Sequence, residues 1–388
     1  MNKVSLTEKT VAAHVEKFGK QPESIAWAPG RIEVLGNHTD YNDGTVLSAA
    51  IDKGHCFCIS RSTRPGIHLF AADAGQRASF NLADTGKVPN IGSGNYVKGV
   101  FYFIQEFLGQ KIDGLDCTSF GAVPLGAGLS SSAALEVSAA FAVLKVLGVT
   151  VDQKEIARLC QKAEHQFAGT KCGLLDQFSS IFGRDHGLIH SDFRTLEVSS
   201  VKLPDDIEFL VVNPHIKHSL ANSPYNERRE RCEQAAAQLA KLLPHPVAAL
   251  RDVSPAEFEA SRSRIDAGAA KRAAHVVGEI DRVERGVELI RSGNLPAFGQ
   301  LLFESHQSSI ENFENSCPEL DVVVEAARSA GALGARLSGG GFGGSAIVMV
   351  HADQARTVSD KVKSYCTGKG FDPEILAVTP SSGALVVR

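Results

Sequence analysis

The chain has 388 residues, of which 43% are hydrophobic, and its formal net charge is −4 at pH 7. This length and apolar content suffice for two domains with separate cores, and the slight negative charge gives no basic footprint for nucleic acid. The N-terminus shows no apolar export segment and the sequence contains no run of about 18 apolar residues. We therefore expect a cytoplasmic protein whose partners are small molecules, with neither nucleic acid nor membrane among them.

The apolar periodicity of the first half of the chain predicts a mixed α and β order. Ser5 and Glu8 have the spacing of a capping box, which predicts a helix that ends at Gly19. Two strands are predicted on either side of a turn at residues 42–44. The elements that we predict in this half are strands at 25–32 and 46–60, a helix at 96–108, a strand at 117–123 and a helix at 130–147.

The second half changes in character. Residues 188–211 alternate as strands do, whereas residues 226–303 are charged and have helical periodicity. Strands are predicted again at 346–350 and 375–378, and the last strand, 384–387, can return to the first domain. We therefore predict an N-terminal domain of residues 1–195, to which 379–388 can be added, and a C-terminal domain of residues 196–378.

Two runs rich in glycine and serine indicate a bound polyphosphate. Residues 339–344 contain five glycines in six positions, and residues 126–132 lead directly into a predicted helix. Glycine lets backbone N–H groups approach an anion, and a helix N-terminus presents unpaired donors. Either run alone is also typical of a flexible loop. The Walker, Rossmann and protein-kinase motifs are absent from the sequence, so a nucleotide would require another kinase architecture.

The eight cysteines are scattered and include no C-x-x-C pair. In a chain of this size they are expected to be buried or free thiols. We assign no metal site built from cysteine and histidine.

Several motifs carry a resemblance to a known family. Residues 124–133, Pro-Leu-Gly-Ala-Gly-Leu-Ser-Ser-Ser-Ala, resemble the phosphate-loop signature of the GHMP small-molecule kinases. Residues 30–42, Gly-Arg-Ile-Glu-Val-Leu-Gly-Asn-His-Thr-Asp-Tyr-Asn, resemble the galactokinase signature within that superfamily. Other motifs follow in the family's order at 95–99, 163–165, 172–178, 225–232, 316–321 and the glycine run that begins at Gly339.

This resemblance spans roughly residues 25–350 and implies a fold and an activity. The implied fold class is α+β, with a ribosomal-protein-S5-like N-terminal domain, a ferredoxin-like C-terminal domain and the active site in the cleft between them. The implied activity is that of an ATP-dependent sugar 1-kinase, which transfers the γ-phosphoryl group of Mg-ATP to the anomeric hydroxyl of galactose.

The resemblance also implies roles for individual residues. Asp176 would handle the proton of the acceptor hydroxyl, and Arg31 would keep this carboxylate anionic and aimed at the sugar. Mg²⁺, which prefers oxygen ligands and keeps several waters, would be held by Glu164 and Ser132, with Ser131 as the alternative. The implied sugar-binding residues are Asn37, His38, Asp40, Gly173 and Tyr225. The implied ATP-binding residues are Gly126, Gly128, Ser130, Ser131, Ser132, Gly340 and Gly341.

Taken one at a time, these residues have simpler interpretations. Asp176 and the two serines at 131 and 132 are also typical helix caps. Glu164 is equally typical of a solvated helix carboxylate paired with Lys162. The weight of the assignment therefore rests on the ordered set of motifs.

Asn37 is where the sequence departs from the family, which has a glutamate there that contacts the hydroxyl at C6. An amide still forms a hydrogen bond with a hydroxyl, but this bond is weaker by about 1 kcal/mol than the bond to a carboxylate. Two like charges about 4 Å apart repel by roughly 4 kcal/mol at an effective dielectric of ~20. Galacturonate, which has a carboxylate at C6, therefore stays an alternative substrate, and Asn37→Glu is expected to shift the preference toward galactose.

Two other classes of protein share parts of these motifs: sensors without catalysis, and GHMP kinases that act on other substrates. Galactokinase-like sensors without catalysis are altered at the dipeptide after the serines, whereas Ala133 and Ala134 are intact here. Mevalonate and homoserine kinases lack the His-Thr-Asp-Tyr-Asn segment. The resemblance thus favours an enzyme over a sugar and ATP sensor, and we expect a monomer or a weak dimer.

Overall fold

The computed structural model describes residues 1–83, 85–170, 172–216 and 225–388. These residues form two β-sheets with helices packed on them. The strands are β1 (Ser24–Leu35), β2 (Thr45–Arg61), β3 (Ile67–Ala71), β4 (Gln76–Phe80), β5 (Leu115–Gly121), β6 (Gly187–Asp192), β7 (Glu197–Lys202), β8 (Ile207–Asn213), β9 (Gly334–Ser338), β10 (Ser345–His351), β11 (Glu374–Val378) and β12 (Leu385–Val386).

The helices lie between these strands in chain order. None of those in the described ranges combines the length and the apolar character that a membrane span requires. They are α1 (Lys3–Phe18), α2 (Gly94–Leu108), α3 (Ser131–Leu147), α4 (Gln153–Ala163), α5 (Leu175–Phe182), α6 (Tyr225–Leu239), α7 (Pro255–Ser261), α8 (Ala267–Arg291), α9 (Leu295–Ser308), α10 (Pro318–Ala330) and α11 (Ala355–Gly368).

The first sheet is built around the long strand β2. One end of β2 pairs with β6 and the other with β5, and β1 runs antiparallel along its other edge. The strand order is β12-β1-β2-β5-β3-β4, with the β6–β7 hairpin attached to β2. The C-terminal strand β12 pairs with β1 through Ala26 and Val386, so the end of the chain lies on the first sheet.

The second sheet is antiparallel with the strand order β11-β8-β10-β9. Residues 209–212 of β8 and 346–350 of β10 are apolar at successive positions because both faces of these strands are buried. In β8, Leu210 and Val212 pack with α10 and α11 on one face, whereas Phe209 and Val211 pack with α9 and with β1 and β2 on the other. The two sheets therefore share a core, which fixes their relative position at the cleft.

Several element boundaries differ from the expectation from sequence by two or three residues, among them the starts of α1, α2 and β5. Helix α1 begins at Lys3 because Asn2 Oδ1 accepts a hydrogen bond from Ser5 N (2.9 Å), so the predicted start at Ser5 is wrong, whereas the end at Gly19 is confirmed. A domain boundary at residue 195 divides the β6–β7 hairpin, in which Gly187 pairs with Lys202. The passage between the two sheets lies at residues 203–206.

Candidate active site

A cavity of about 340 Å³ lies between the two glycine runs, β1 and the start of α5. Every residue that the sequence analysis assigns to catalysis, sugar, ATP or metal lines this cavity. The lining comes from segments that are far apart in the sequence, from Arg31 to Gly344. The fold therefore gathers the motifs at one place with room for a small ligand.

An ion pair between Arg31 and Asp176 lines this cavity. Arg31 on β1 approaches Asp176 Oδ1 with both Nε (2.9 Å) and Nη2 (2.7 Å). Arg31 Nη1 donates to the carbonyl oxygen of Gly128 (2.5 Å). Asp176 Oδ2 accepts no hydrogen bond from the described residues, and the Asp176 side chain keeps 22% of its surface exposed. One carboxylate oxygen is thus fixed by Arg31 and the other is available to a ligand.

The first glycine run forms the N-terminal end of α3. Gly126 (φ 74°) and Gly128 (φ 70°) both adopt the left-handed conformation that favours glycine. Ser130 precedes the helix without a side-chain cap, and its buried Oγ has no hydrogen-bond partner among the described residues. An uncapped helix N-terminus with an unpaired hydroxyl fits a bound phosphate group.

The second glycine run connects β9 to β10 and packs against the residues before α10. Gly341 (φ 76°) lies so close to Asn315 that a Cβ there would clash with the Asn315 carbonyl oxygen. Phe342 N donates to that same carbonyl (2.6 Å). Ser345 Oγ donates to Ala127 O (2.8 Å), which joins this run to the first one. Both runs are thereby held at the cavity.

Glu164 begins a π-helical turn that continues α4, a distortion that often marks functional positions. Ser132 Oγ donates to Glu164 Oε1 (3.3 Å) and Gln177 Nε2 donates to Oε2 (3.0 Å). Burial, with the nearby charge of Asp176, raises the pKa of Glu164 to about 7. A cation would favour the ionised carboxylate.

The donor set at this end of the cavity suits Mg²⁺. Within the described ranges, no group of three acidic, histidine or cysteine side chains could hold a metal ion by itself. Mg²⁺ differs from zinc in using one or two protein oxygens together with waters and substrate phosphates. Glu164 and Ser132, placed at the uncapped N-terminal end of α3, fit that pattern.

Asp40 also lines the cavity. Burial, the largest cause, and the charges of Glu33 and Asp176 raise the pKa of Asp40 to about 7. Tyr41 N donates to Asp40 Oδ1 (3.0 Å). Gly173 packs directly on the Asp40 carboxylate, where a Cβ would clash with Oδ2. The absence of a side chain at position 173 therefore makes space for the Asp40 carboxylate.

His38 holds the second glycine run. Burial lowers the pKa of His38 to about 4, so the ring is neutral near pH 7. Its Nε2 donates to Gly340 O (3.0 Å), since a carbonyl can only accept, and its Nδ1 then accepts from the Tyr41 hydroxyl (2.7 Å). Tyr225 packs against the ring with the centroids 5.1 Å apart. His38 thus lines the cavity, but both its ring nitrogens are engaged by protein groups.

Glu33 is a cavity residue that the sequence analysis missed. Its Oε1 accepts hydrogen bonds from Asn37 Nδ2 (2.8 Å) and Arg336 Nη2 (3.2 Å). Burial raises the pKa of Glu33, and the guanidinium groups of Arg336 and Arg31 oppose that shift. The signal was present in the sequence, because an acid two positions after Arg31 in a strand lies on the same face as Arg31.

The fold and the cavity define a class. A model of the GHMP kinases N terminal domain matches residues 95–184, and one of the GHMP kinases C terminal domain matches residues 287–368. A solved mevalonate kinase from Methanococcus jannaschii shares the fold, with a TM-score of 0.64 at 17% identity over 92% of this chain and 98% of that one. The predicted two-domain fold class of the GHMP kinases is therefore confirmed.

Closer relatives define the family. The galactokinase galactose-binding signature matches residues 12–61. The chain is 39% identical to the galactokinase of Bos taurus over 94% of this chain and 93% of that protein. Its structure is similar to that of Lactococcus lactis galactokinase complexed with galactose, with a TM-score of 0.90 and 32% identity over 98% of this chain and 99% of that one. The chain belongs to the galactokinase family.

Proposed function

We propose that this protein is a galactokinase, which transfers the γ-phosphoryl group of ATP to the C1 hydroxyl of galactose and releases galactose 1-phosphate and ADP. The observation that carries this proposal is the Arg31–Asp176 ion pair. It lies in one cavity with the uncapped end of α3 and with Asp40. The relatives with galactokinase activity in their names support the same assignment.

Phosphoryl transfer asks a protein mainly for positioning and for stabilisation of charge. Asp176 Oδ2, the oxygen that Arg31 leaves unbound, would accept the proton of the C1 hydroxyl. Arg31 supplies the countercharge, and through Gly128 O it also fixes the phosphate-binding run relative to Asp176. The Arg31 side chain would thus set the distance between the C1 hydroxyl of the sugar, bound by Asp176, and the phosphates of ATP, bound by the first glycine run.

Glu164 and Ser132 would hold Mg²⁺, which supplies charge neutralisation at the β- and γ-phosphates when it is bound. Gln177 orients Glu164 by donating to its Oε2. Gly126, Gly128, Gly340 and Gly341 would contribute backbone contacts to ATP.

Galacturonate is disfavoured as the alternative substrate. The Glu33 carboxyl group lies beside Asn37 and lines the same cavity, so the carboxylate of a uronate would meet a second carboxyl group there. The Arg31–Asp176 pair and Glu164 also support an enzyme over a sensor without catalysis. A cytoplasmic location and a monomeric or weakly dimeric state stay predictions from the sequence.

A coupled assay of ADP release tests the function. The purified protein is incubated with Mg-ATP and one of galactose, galacturonate, N-acetylgalactosamine, glucose or arabinose. We expect the highest kcat/KM with galactose and a product that carries phosphate at C1, as read by phosphorus NMR. ADP release that is fastest with galacturonate, or that is the same with and without any sugar, contradicts the proposal.

A further inference from the structure

We propose that Glu33 accepts a hydrogen bond from a hydroxyl group of the sugar, on the side of the sugar remote from C1. Asn37 instead holds the second glycine run in place. Glu33 would then set the preference for a neutral sugar over a uronate. This inference rests on the proposed galactokinase function and assigns the specificity of that site to a position that the resemblance does not indicate.

The side chain of Asn37 is already occupied. It is fully buried, and its amide nitrogen, which has two N–H donors, donates to Glu33 Oε1 (2.8 Å) and to Gly339 O (2.8 Å). Its amide oxygen accepts from Asn315 Nδ2 (3.0 Å). No N–H of Asn37 is left for a sugar, and its contacts join β1 to the second glycine run.

Glu33 has the property that Asn37 lacks. Its Oε1 is engaged by Asn37 and Arg336, but its Oε2 accepts no hydrogen bond from the residues described. Glu33 lines the cavity. A carboxylate oxygen without a protein donor at a cavity wall is suited to accept a ligand hydroxyl.

The position of Glu33 along β1 matches a contact remote from the reacting group. Arg31 and Glu33 pair with Ala50 and Ser48 of β2 in regular register, so their side chains lie on one face about 7 Å apart along the strand. Arg31 binds Asp176, the residue at the reacting end. Glu33 therefore lies two residues along β1 from Arg31, which binds the residue at the C1 end of the sugar.

A buried guanidinium supports the charge of Glu33. Arg336 on β9 is fully buried and donates to Glu33 Oε1. It also lies 3.7 Å from Glu279 Oε2, a carboxylate that is not among the residues lining the cavity. Two buried carboxylates thus share one arginine, and one of the two is in the cavity wall. This pair offers a matched comparison.

The test is the substrate preference of Glu33→Gln. Steady-state kinetics are measured with galactose, with its 2-, 3-, 4- and 6-deoxy analogues and with galacturonate. We expect kcat/KM for galactose to fall about 10- to 100-fold, mainly through KM, because a hydrogen bond to a charged group is lost. For one deoxy analogue, the fall in kcat/KM caused by Glu33→Gln is expected to be much smaller than for galactose, and the hydroxyl that this analogue lacks is the one that Glu33 binds. The turnover of galacturonate is expected to rise.

Glu279→Gln is the matched control, since it also removes a carboxylate from Arg336. We expect Glu279→Gln to lower kcat/KM for all the sugars by a common factor. If Glu33→Gln also lowers kcat/KM for galactose and for every deoxy analogue by one common factor, the inference is overturned and Glu33 is a structural residue. Should Glu33→Gln fail to fold, Glu33→Asp keeps the charge but withdraws the oxygen, and the same selective loss is expected. Wild-type protein that leaves galactose unphosphorylated would instead defeat the proposed function.

Discussion

Arg31 and Asp176 are 145 residues apart in the sequence and form an ion pair of 2.7 Å inside the cavity. Strand β1 contributes the arginine and the first turn of α5 contributes the aspartate. The same guanidinium also bonds Gly128 O in the run that precedes α3. One side chain therefore holds the proposed proton acceptor and the proposed phosphate-binding run at a fixed separation.

Asp176→Asn is expected to keep the fold and the binding of ATP but to lower kcat at least about 100-fold, because an amide cannot accept the proton. Stopped assays of galactose phosphorylation and the binding of ATP by calorimetry measure the two effects. Asp205→Asn, at a carboxylate with 72% of its side chain exposed, is the control and should be unaffected. An Asp176→Asn protein with near-native kcat contradicts the assignment.

Glu164→Gln is expected to raise the Mg²⁺ concentration for half-maximal activity at least about tenfold, because a charged oxygen ligand is lost. The KM for sugar should stay the same. Glu136→Gln provides a matched control, since Glu136 is fully buried and also bonded to Gln177 but does not line the cavity. An identical Mg²⁺ titration for wild type and Glu164→Gln places the metal elsewhere.

Asn37→Glu is expected to lower both the melting temperature and kcat/KM for galactose, in contrast to the expectation from sequence. A carboxylate has no N–H for Glu33 or Gly339 O and would bring a second negative charge beside Glu33. The exchange variant, Glu33→Asn with Asn37→Glu, keeps one amide and one carboxylate in contact and should recover part of the loss. Improved galactose kinetics in the single variant would contradict this account.

The raised pKa of Asp40, about 7, predicts a pH dependence of stability. An unfolded aspartate has a pKa near 3.9, so the folded protein binds more protons between about pH 4 and pH 7, and the free energy of unfolding falls as pH rises through that window. Asp40→Asn removes this contribution and should gain stability relative to wild type from pH 5 to pH 8. Urea unfolding without ligands, repeated at each pH, measures the free energy of unfolding of both proteins. A difference between the two proteins that does not change with pH argues against this pH dependence.

Gly173→Ala is expected to raise the KM for sugar while leaving the KM for ATP unchanged. The added Cβ would clash with Asp40 Oδ2 and displace that carboxylate. Gly368→Ala is the control, since a Cβ there meets no atom of the described residues within 4 Å. Equal sugar kinetics in Gly173→Ala and wild type would show that Asp40 does not contact the sugar.

The elements with a clear period were predictable from the sequence alone. The helix predicted at 130–147 is α3, and the strands predicted on either side of the turn at 42–44 are β1 and β2. The predicted start of α1 failed because two capping residues, Asn2 and Ser5, compete within one turn and the structure uses Asn2. Local hydrogen bonds of similar strength cannot be ranked by spacing.

The amino-acid sequence by itself determined the class of this protein, because the ordered set of motifs, among them those at 30–42 and 124–133, resembles the GHMP kinases although each motif alone has a simpler interpretation. The tertiary structure alone decided which side chains are free to bind a ligand. Asn37 is occupied by Gly339 and Asn315, which lie 302 and 278 residues away, whereas Glu33 keeps one oxygen that accepts no hydrogen bond from the part of the chain that the structure describes. The physical reason is that a hydrogen-bonding group serves a ligand only when the fold has not already satisfied it.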